Sequence, residues 1–283
     1  QFATTTQFFF YGKSRFTRTG WEKAMKNYPK PDILSEDSTL NLNGKIYMIT
    51  GANSGIGREI TTYVAKKGAT VYMVCRSPDR ANEARTDIIE KSKNQNIHLL
   101  LGNCGSEKDI KRIWSEFVEH RKSETSSDEV KLDALVCSAG ALLDKKTFTE
   151  EEVEITFATH LLFGTYLLGT LAMDALNKTP NSRFIAVSSG GMYNTKLPKW
   201  STLSSTGNSK YDGQMAYAYA KRGQVLLCEE WAKMYPNVKT VSCHPGWALT
   251  PGVESAYGES KRYLEPLRDL WQGSEGIVWL MVA

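Results

Sequence analysis

Residues Lys45 to Gly57 read K-I-Y-M-I-T-G-A-N-S-G-I-G, and this stretch determines how the rest of the chain is interpreted. The apolar run from Ile46 to Ile49 predicts a short buried strand, and the helical spacing from Arg58 to Lys67 predicts a helix after the glycines. Such a turn gathers unpaired backbone N–H groups at the positive end of a helix, where a pyrophosphate binds. Glycine turns are common, so this turn alone fits a nucleotide site and an ordinary turn equally well.

The composition predicts one α/β domain that does not bind nucleic acid. The chain has 283 residues, of which 41% are hydrophobic, and a formal net charge of +4. Residues 1–30 hold six lysines and arginines and one glutamate, a local charge of +5, so the remaining chain is close to neutral. Because the domain itself is not basic, nucleic-acid binding has no support.

The cysteines predict a reducing compartment. The five are far apart in the sequence and form no C-x-x-C pair: Cys75, Cys104, Cys137, Cys228 and Cys243. Four lie in or at the ends of apolar, strand-like runs, so we interpret them as buried thiols, not as a metal site or a disulfide framework. We therefore expect an intracellular protein, cytoplasmic or mitochondrial.

Residues 1–43 precede the first strand and allow two interpretations. Thr19 and Glu22 have the spacing of a capping box, and a short amphipathic helix follows them. Ahead of that helix, the aromatic run from Phe8 to Tyr11 is followed by basic residues. Residues 1–28 therefore predict either a segment that docks on a membrane surface or an acidic protein, or an arm packed on its own domain.

From the glycine turn onward, strand-like and helical segments alternate. Strands are predicted at 46–49, 70–75, 97–101, 132–137, 183–188 and 238–243, and helices at 58–67, 78–93, 106–120, 149–177, 214–234 and 275–282. This alternation predicts an α/β fold with a doubly wound parallel sheet of at least six strands over residues 44–283, without a final edge strand.

The helix predicted at 149–177 fits two environments, a membrane and a protein core. Thr149 and Glu152 form a second predicted capping box at its start. The stretch from Ile155 to Met173 has no formally charged residue and is long enough to span a membrane. Its place between two parallel strands instead predicts a buried crossover helix.

Three residues predict acid–base chemistry on a carbonyl oxygen. Tyr217 and Lys221 are four residues apart on a predicted helix, so their side chains lie on one face. An ammonium beside a phenol stabilises the phenolate, so we expect the pKa of Tyr217 to fall from about 10 toward neutrality. Ser189 ends the fifth strand, at the sheet edge where ligands bind, although it also fits a turn cap. A second such pair, Tyr63 and Lys67, is interpreted as ordinary surface.

Together these motifs resemble the short-chain dehydrogenase/reductase family over residues 44–283. The resemblance rests on Thr50 to Gly57, Ala139-Gly140, Ser189, Tyr217 with Lys221, and Pro245-Gly246 followed by Thr250. It implies a Rossmann fold and an NAD(P)-dependent oxidoreductase that interconverts a carbonyl and an alcohol. It also implies that Tyr217 is the acid–base group, that Lys221 holds the nicotinamide ribose, and that Ser189 orients the carbonyl.

The resemblance also implies a set of cofactor-binding residues. They are Gly51, Asn53, Ser54, Gly55, Ile56, Gly57, Arg76, Ser77, Asn103, Cys104, Ala139, Gly140, Tyr217, Lys221, Pro245, Gly246 and Thr250. NAD-specific relatives carry an acidic residue where this chain has Arg76, and a guanidinium binds a 2′-phosphate. We therefore expect NADP(H).

The chain departs from the family pattern at three places. Cys137-Ser138 replaces the usual Asn-Asn pair, and Asn103 replaces an aspartate. The asparagine expected in the long helix is replaced by His160 or Leu161, depending on alignment. Two hypotheses therefore stand: an active enzyme, and a cofactor-binding structural or interaction subunit with weak or no activity.

The remaining expectations concern substrate and assembly. Five apolar or aromatic residues after Ser189 are predicted to form the rim of the substrate pocket: Met192, Tyr193, Trp200, Trp247 and Tyr257. They favour a lipophilic carbonyl such as a retinoid, steroid or lipid aldehyde. By resemblance, the helices at 149–177 and 214–234 are expected to form the face of a homodimer.

Overall fold

The computed structural model describes residues 2–28, 32–35, 38–125, 127–140, 142–143, 145–203 and 211–283. Within these ranges, six strands form one parallel sheet in the order β3-β2-β1-β4-β5-β6. The strands are β1 (Ile46–Thr50), β2 (Thr70–Cys75), β3 (Ile97–Leu101), β4 (Ala134–Cys137), β5 (Arg183–Val187) and β6 (Lys239–Cys243). The predicted doubly wound sheet is confirmed. The strand order reverses between β1 and β4, so the carboxyl ends of these strands flank a crevice.

Helices cover both faces of this sheet. They are α1 (Phe2–Arg15), α2 (Arg18–Met25), α3 (Gly55–Lys66), α4 (Pro78–Ser92), α5 (Glu107–Thr125), α6 (Ile155–Lys178), α7 (Trp200–Leu203), α8 (Gly213–Met234), α9 (Pro251–Tyr257) and α10 (Leu270–Val282). Short 3₁₀ turns lie at Gly190–Asn194 and Gly258–Leu264. Helices α3, α4 and α10 pack on one face of the sheet, and α5, α6 and α8 pack on the other.

The strands are almost continuously apolar because both faces of the sheet are covered. In β1, all five residues are buried. Tyr47 pairs with Val71 of β2 on one side and with Ala134 of β4 on the other. This register brings the end of β1 level with the end of β4, and it positions the glycine-rich turn beside residues 138–140.

Helix α6 begins later than predicted. The capping box at Thr149 and Glu152 is wrong, because Glu152 has a left-handed backbone (φ 57°) and the helix starts at Ile155. Glu154 is the N-cap, and its carboxylate accepts hydrogen bonds from the N–H groups of residues 156 and 157, both at 2.9 Å. The middle of the helix, Ala158–Leu167, is π-helical.

Within the described residues, α6 is the helix that is long and apolar enough to span a membrane. More than half of it is buried inside the fold, and Phe163, Leu168 and Ala172 lie in the core beneath the sheet. It connects β4 to β5. These contacts are those of the buried crossover helix that the sequence predicts.

Residues 2–25 form two helices instead of one. The predicted cap at Thr19 is wrong, because Thr17 is the N-cap of α2 and accepts a hydrogen bond from the N–H of Gly20. The two helices pack on their own domain, and buried Phe16 lies between them. This agrees with the packed-arm interpretation. The docking interpretation stays a prediction for the outer surface of α1, where Phe10 is 67% exposed.

Candidate active site

The turn after β1 has the geometry of an anion-binding turn. Gly51 adopts φ 69°, and a Cβ there would lie 2.9 Å from the Cα of Ala139. Helix α3 starts directly after Ser54, whose side chain makes no capping hydrogen bond. The first N–H groups of α3 are therefore left to a ligand, and the positive helix end favours an anion.

Thr50 joins this turn to the end of β4, a role that the sequence did not reveal. Its hydroxyl oxygen accepts hydrogen bonds from the N–H of Ser138 at 3.0 Å and from the N–H of Ala139 at 2.9 Å. Thr50 is fully buried. The two strand ends on either side of the crevice are thus fixed relative to each other.

The turn and the ends of β4, β5 and β6 enclose a cleft of about 520 Å³. Most of the predicted site residues line it: Gly51, Ser54, Gly55, Ile56, Gly57, Ala139, Gly140, Ser189, Tyr217, Lys221, Pro245, Gly246 and Thr250. Residues that are up to about 200 positions apart in the chain therefore meet at one sheet edge.

Five predicted cofactor residues are not among the described residues that line this cleft: Asn53, Arg76, Ser77, Asn103 and Cys104. The amide oxygen of Asn103 accepts a hydrogen bond from the N–H of Gly105 at 3.0 Å. The Cys104 side chain lies in the core, and burial raises the pKa of its thiol to about 12. The assignment of Cys104 to the cofactor site stays a prediction, and with the thiol buried it rests on the Cys104 backbone. Arg76 is exposed at the end of β2.

The side chains of Tyr217 and Ser189 are neighbours in the cleft. Burial raises the pKa of Tyr217 to about 12, and a hydrogen bond with the Ser189 side chain lowers this pKa in part. The Ser189 hydroxyl oxygen also accepts a hydrogen bond from the N–H of Gly191 at 3.3 Å. The two hydroxyl groups can therefore address the same substrate atom.

Lys221 is buried, with 4% of its surface exposed. Its Nζ donates to the backbone oxygen of Val187 at 2.6 Å and lies 5.5 Å from the centre of the Tyr217 ring. Burial lowers the pKa of Lys221 to about 7. The predicted fall in the pKa of Tyr217 is thus wrong, because burial disfavours the charged forms of both Tyr217 and Lys221.

Of the two residues that the sequence offered in place of the family asparagine, His160 and not Leu161 lies beside Tyr217. Its ring is 2% exposed, lines the cleft and packs edge to face on Tyr217, with ring centres 5.0 Å apart. Its backbone oxygen accepts from Thr165 Oγ1, five residues on, and from Gln224 Nε2, both at 2.7 Å. Leu161 packs against Gly223 instead. The π-helical turn positions His160, and no sequence signal predicts that turn.

The predicted substrate rim is only partly correct. Trp247 and Tyr257 line the cleft, whereas Met192 is buried, and Tyr193 and Trp200 are exposed outside it. Two other aromatic residues, which the sequence did not assign to the site, belong to the cleft lining. Phe8 and Phe9 of α1 line the cleft instead. An aromatic run ahead of the domain was the available signal, but it did not reveal where the run would pack.

Residues 45–260 match the sequence profile of the short chain dehydrogenase family, and the chain belongs to this family. It is an oxidoreductase with a Rossmann-like fold, in a family that binds NAD(P). The chain is 39% identical to dehydrogenase/reductase SDR family member 12 of Homo sapiens, over 96% of this chain and 81% of that protein. It is 28% identical to retinol dehydrogenase 11 of Mus musculus, over 83% of this chain and 69% of that protein.

Solved structures have the same fold. A short chain dehydrogenase of Shigella flexneri 2a in complex with NADP has a TM-score of 0.66 and is 19% identical, over 87% of this chain and 94% of that chain. An alcohol dehydrogenase of Thermococcus sibiricus in complex with 5-hydroxy-NADP has a TM-score of 0.63 at 18% identity, over 84% of this chain and 90% of that chain.

Proposed function

We propose that this chain is an NADP(H)-dependent oxidoreductase that interconverts a carbonyl and an alcohol on a lipophilic substrate. One observation carries the proposal: Ser189, Tyr217 and Lys221 line the same cleft as the glycine-rich turn. The first three supply hydroxyl groups and an amine beside a reacting carbonyl. The turn supplies backbone N–H groups for a pyrophosphate.

The cofactor residues fit a dinucleotide. The free N–H groups after Ser54 and the close approach at Gly51 suit a pyrophosphate. Lys221, Pro245 and Thr250 line the same cleft and would contact the nicotinamide end of the cofactor. When bound, the nicotinamide supplies or accepts the hydride. All other steps fall to side chains of this chain.

Arg76 supports the choice of NADP(H). It is exposed at the end of β2, and Arg80 in the first turn of α4 adds a second exposed cation that the sequence interpretation did not include. Guanidinium groups bind a 2′-phosphate through charge-assisted hydrogen bonds. The Shigella relative in complex with NADP is consistent with this choice.

In carbonyl reduction, Tyr217 donates its phenolic proton to the carbonyl oxygen, and Ser189 donates a second hydrogen bond to the same oxygen. The raised pKa of Tyr217 keeps the phenol protonated at neutral pH. His160 packs on the phenol ring and fixes its orientation. The apolar residues Trp247 and Leu264 in the cleft wall favour a lipophilic substrate.

The test compares wild type with Tyr217→Phe. Wild type should oxidise NADPH with lipophilic aldehydes, and the variant should lose about 10²-fold or more in turnover because the proton donor is missing. Its NADPH affinity, measured by fluorescence titration, should stay close to that of wild type.

A structural or interaction subunit is the second candidate. It is favoured by the hydrogen bond from Lys221 Nζ to the backbone oxygen of Val187, because this bond directs the amine to the backbone instead of to a cofactor ribose. Binding of NADPH without turnover on a broad panel of aldehydes and ketones, in wild type and variant alike, would select this candidate.

We further propose a homodimer through α6 and α8. The face that they share includes Tyr166, which is 46% exposed and packs beside Trp231, with ring centres 5.9 Å apart. Light scattering at micromolar concentration measures the mass directly. A monomeric mass would remove the dimer.

A further inference from the structure

Helix α1 lies over the cleft, on the side where Trp247 stands. Phe8 and Phe9 line the cleft, and their ring centres are 6.4 Å and 6.1 Å from that of Trp247. These three rings form a continuous apolar wall. Since Ser189 and Tyr217 line the same cleft, the wall and the reacting hydroxyl groups share one cavity.

The end of α1 is held firmly by the segment that follows β6. The backbone oxygen of Phe16 accepts a hydrogen bond from the N–H of Trp247 at 2.8 Å. Arg268 Nη2 donates to the backbone oxygen of Arg15 at 2.9 Å, and Lys13 Nζ donates to that of Glu265 at 2.6 Å. The aromatic wall is therefore a fixed part of the site.

Glycines allow α1 to approach the reacting end of the cleft. A Cβ on Gly190 would lie 3.2 Å from a ring atom of Phe16 and 3.4 Å from ring atoms of Phe8. Gly190 directly follows Ser189. A Cβ on Gly12 would strike the indole of Trp247. The Phe8 ring therefore packs against Gly190, the residue next to Ser189, whose hydroxyl group binds the carbonyl in the proposed function.

The aromatic residues of α1 divide into two groups by exposure. Phe16 is 7% exposed and makes ring contacts with Tyr11, Tyr193 and His244, so it packs the helix onto the domain. Phe8 and Phe9 are only partly buried, and part of each side chain lines the cleft. Packing of α1 accounts for Phe16 but leaves this cleft-facing surface of Phe8 and Phe9 without a role.

We propose that Phe8, Phe9 and Trp247 form an apolar subsite for the hydrocarbon tail of the substrate, an aliphatic or isoprenoid aldehyde or its alcohol. The subsite rests on the proposed function for the identity of the reacting group, but tail binding does not require turnover. A ring that covers about 50 Å² of a tail contributes about tenfold in affinity. The N-terminal helix thus selects long apolar substrates over short ones.

Binding of dodecanal and dodecanol, followed by tryptophan fluorescence, tests the subsite without catalysis. Phe8→Ala and Phe9→Ala should each raise the Kd for both ligands about tenfold. Phe10→Ala is the matched control, because it removes the same side chain from the exposed surface of the same helix, and it should change Kd less than twofold. Equal effects of all three variants, or no effect of any, would overturn the subsite.

Turnover is the second readout. The ratio of kcat/KM for dodecanal to that for butanal should fall about tenfold in Phe8→Ala and in Phe9→Ala relative to wild type. An unchanged ratio in folded protein argues against the subsite. If wild type binds dodecanol but turns over neither aldehyde, the proposed function fails, and the binding titration still decides the subsite.

Circular dichroism and melting curves check that the variants fold. If an alanine variant does not fold, Phe9→Trp replaces it, since a larger ring narrows the subsite and keeps the packing of α1. Weaker dodecanol binding by this variant supports the subsite. Wild-type affinity for dodecanol in folded Phe9→Trp would overturn it.

Discussion

Replacing Lys221 with methionine should change how the stability of the protein depends on pH. Burial lowers the pKa of Lys221 from 10.5 to about 7 in the folded chain, while in the unfolded chain it returns to 10.5. Between these two values the unfolded state binds more protons than the folded state. Stability from this group therefore rises as pH rises from 7 toward 10.5.

The size of the effect follows from the same shift. Between pH 7 and pH 9.5, the free energy of unfolding should increase by about 3 kcal/mol from Lys221 alone, at about 1.4 kcal/mol per pH unit once the folded group is neutral. Lys221→Met lacks this increase. At pH 7 the variant should also be more stable than wild type, because it removes a buried charge. The lost hydrogen bond to Val187 reduces this gain in the free energy of unfolding by about 1 kcal/mol.

Urea denaturation of wild type and Lys221→Met, each at pH 7 and at pH 9.5, gives four free energies of unfolding. Other groups titrate in this range, so the difference between the two proteins isolates Lys221. Lys66→Met, at an exposed position of α3, is the control and should keep the wild-type dependence. The same change in free energy with pH for Lys221→Met and wild type would refute the reasoning.

Three further predictions concern the cofactor and the backbone. Arg76→Ala should weaken NADPH binding about 10- to 100-fold and NADH binding much less, because only NADPH carries the 2′-phosphate; equal losses in calorimetric titrations would contradict this. Gly51→Ala should lower the free energy of unfolding by about 1–2 kcal/mol and impair NADPH binding, because φ is 69° and Ala139 is close, whereas Gly276→Ala, outside the cleft lining, should not impair binding. Gly276→Ala should raise the free energy of unfolding by about 0.5–1 kcal/mol in urea denaturation, because it lies exposed within α10 with nothing within 4 Å of an added Cβ; a loss of stability would be inconsistent with that open position.

The sheet could be predicted from the sequence because its signals are local. Each predicted strand is present, with ends within two residues of those observed, because a buried parallel strand requires a short apolar run between turns. The same alternation places Ser189 and Tyr217 near the carboxyl edge of the sheet. For these residues, position along the chain largely determines position in space.

Other parts of the site depend on contacts that no local pattern records. His160 contacts Tyr217 from the π-helical part of α6, and the pKa of Tyr217 depends on its burial. Phe8 and Phe9 belong to a helix whose apolar residues have no clear period, so the sequence could not reveal the surface that they contact. These features arise from tertiary packing.

The attachment of α1 has a consequence for the order of folding. Its hydrogen bonds from Lys13 to Glu265 and from Arg268 to Arg15 join residues 252 and 253 positions apart. Closing so long a loop is entropically costly, and during synthesis residues 265 to 268 are made well after α1. Helix α1 can therefore dock only after residues 265 to 268 have been made, and the apolar run from Phe8 to Tyr11 remains uncovered until then.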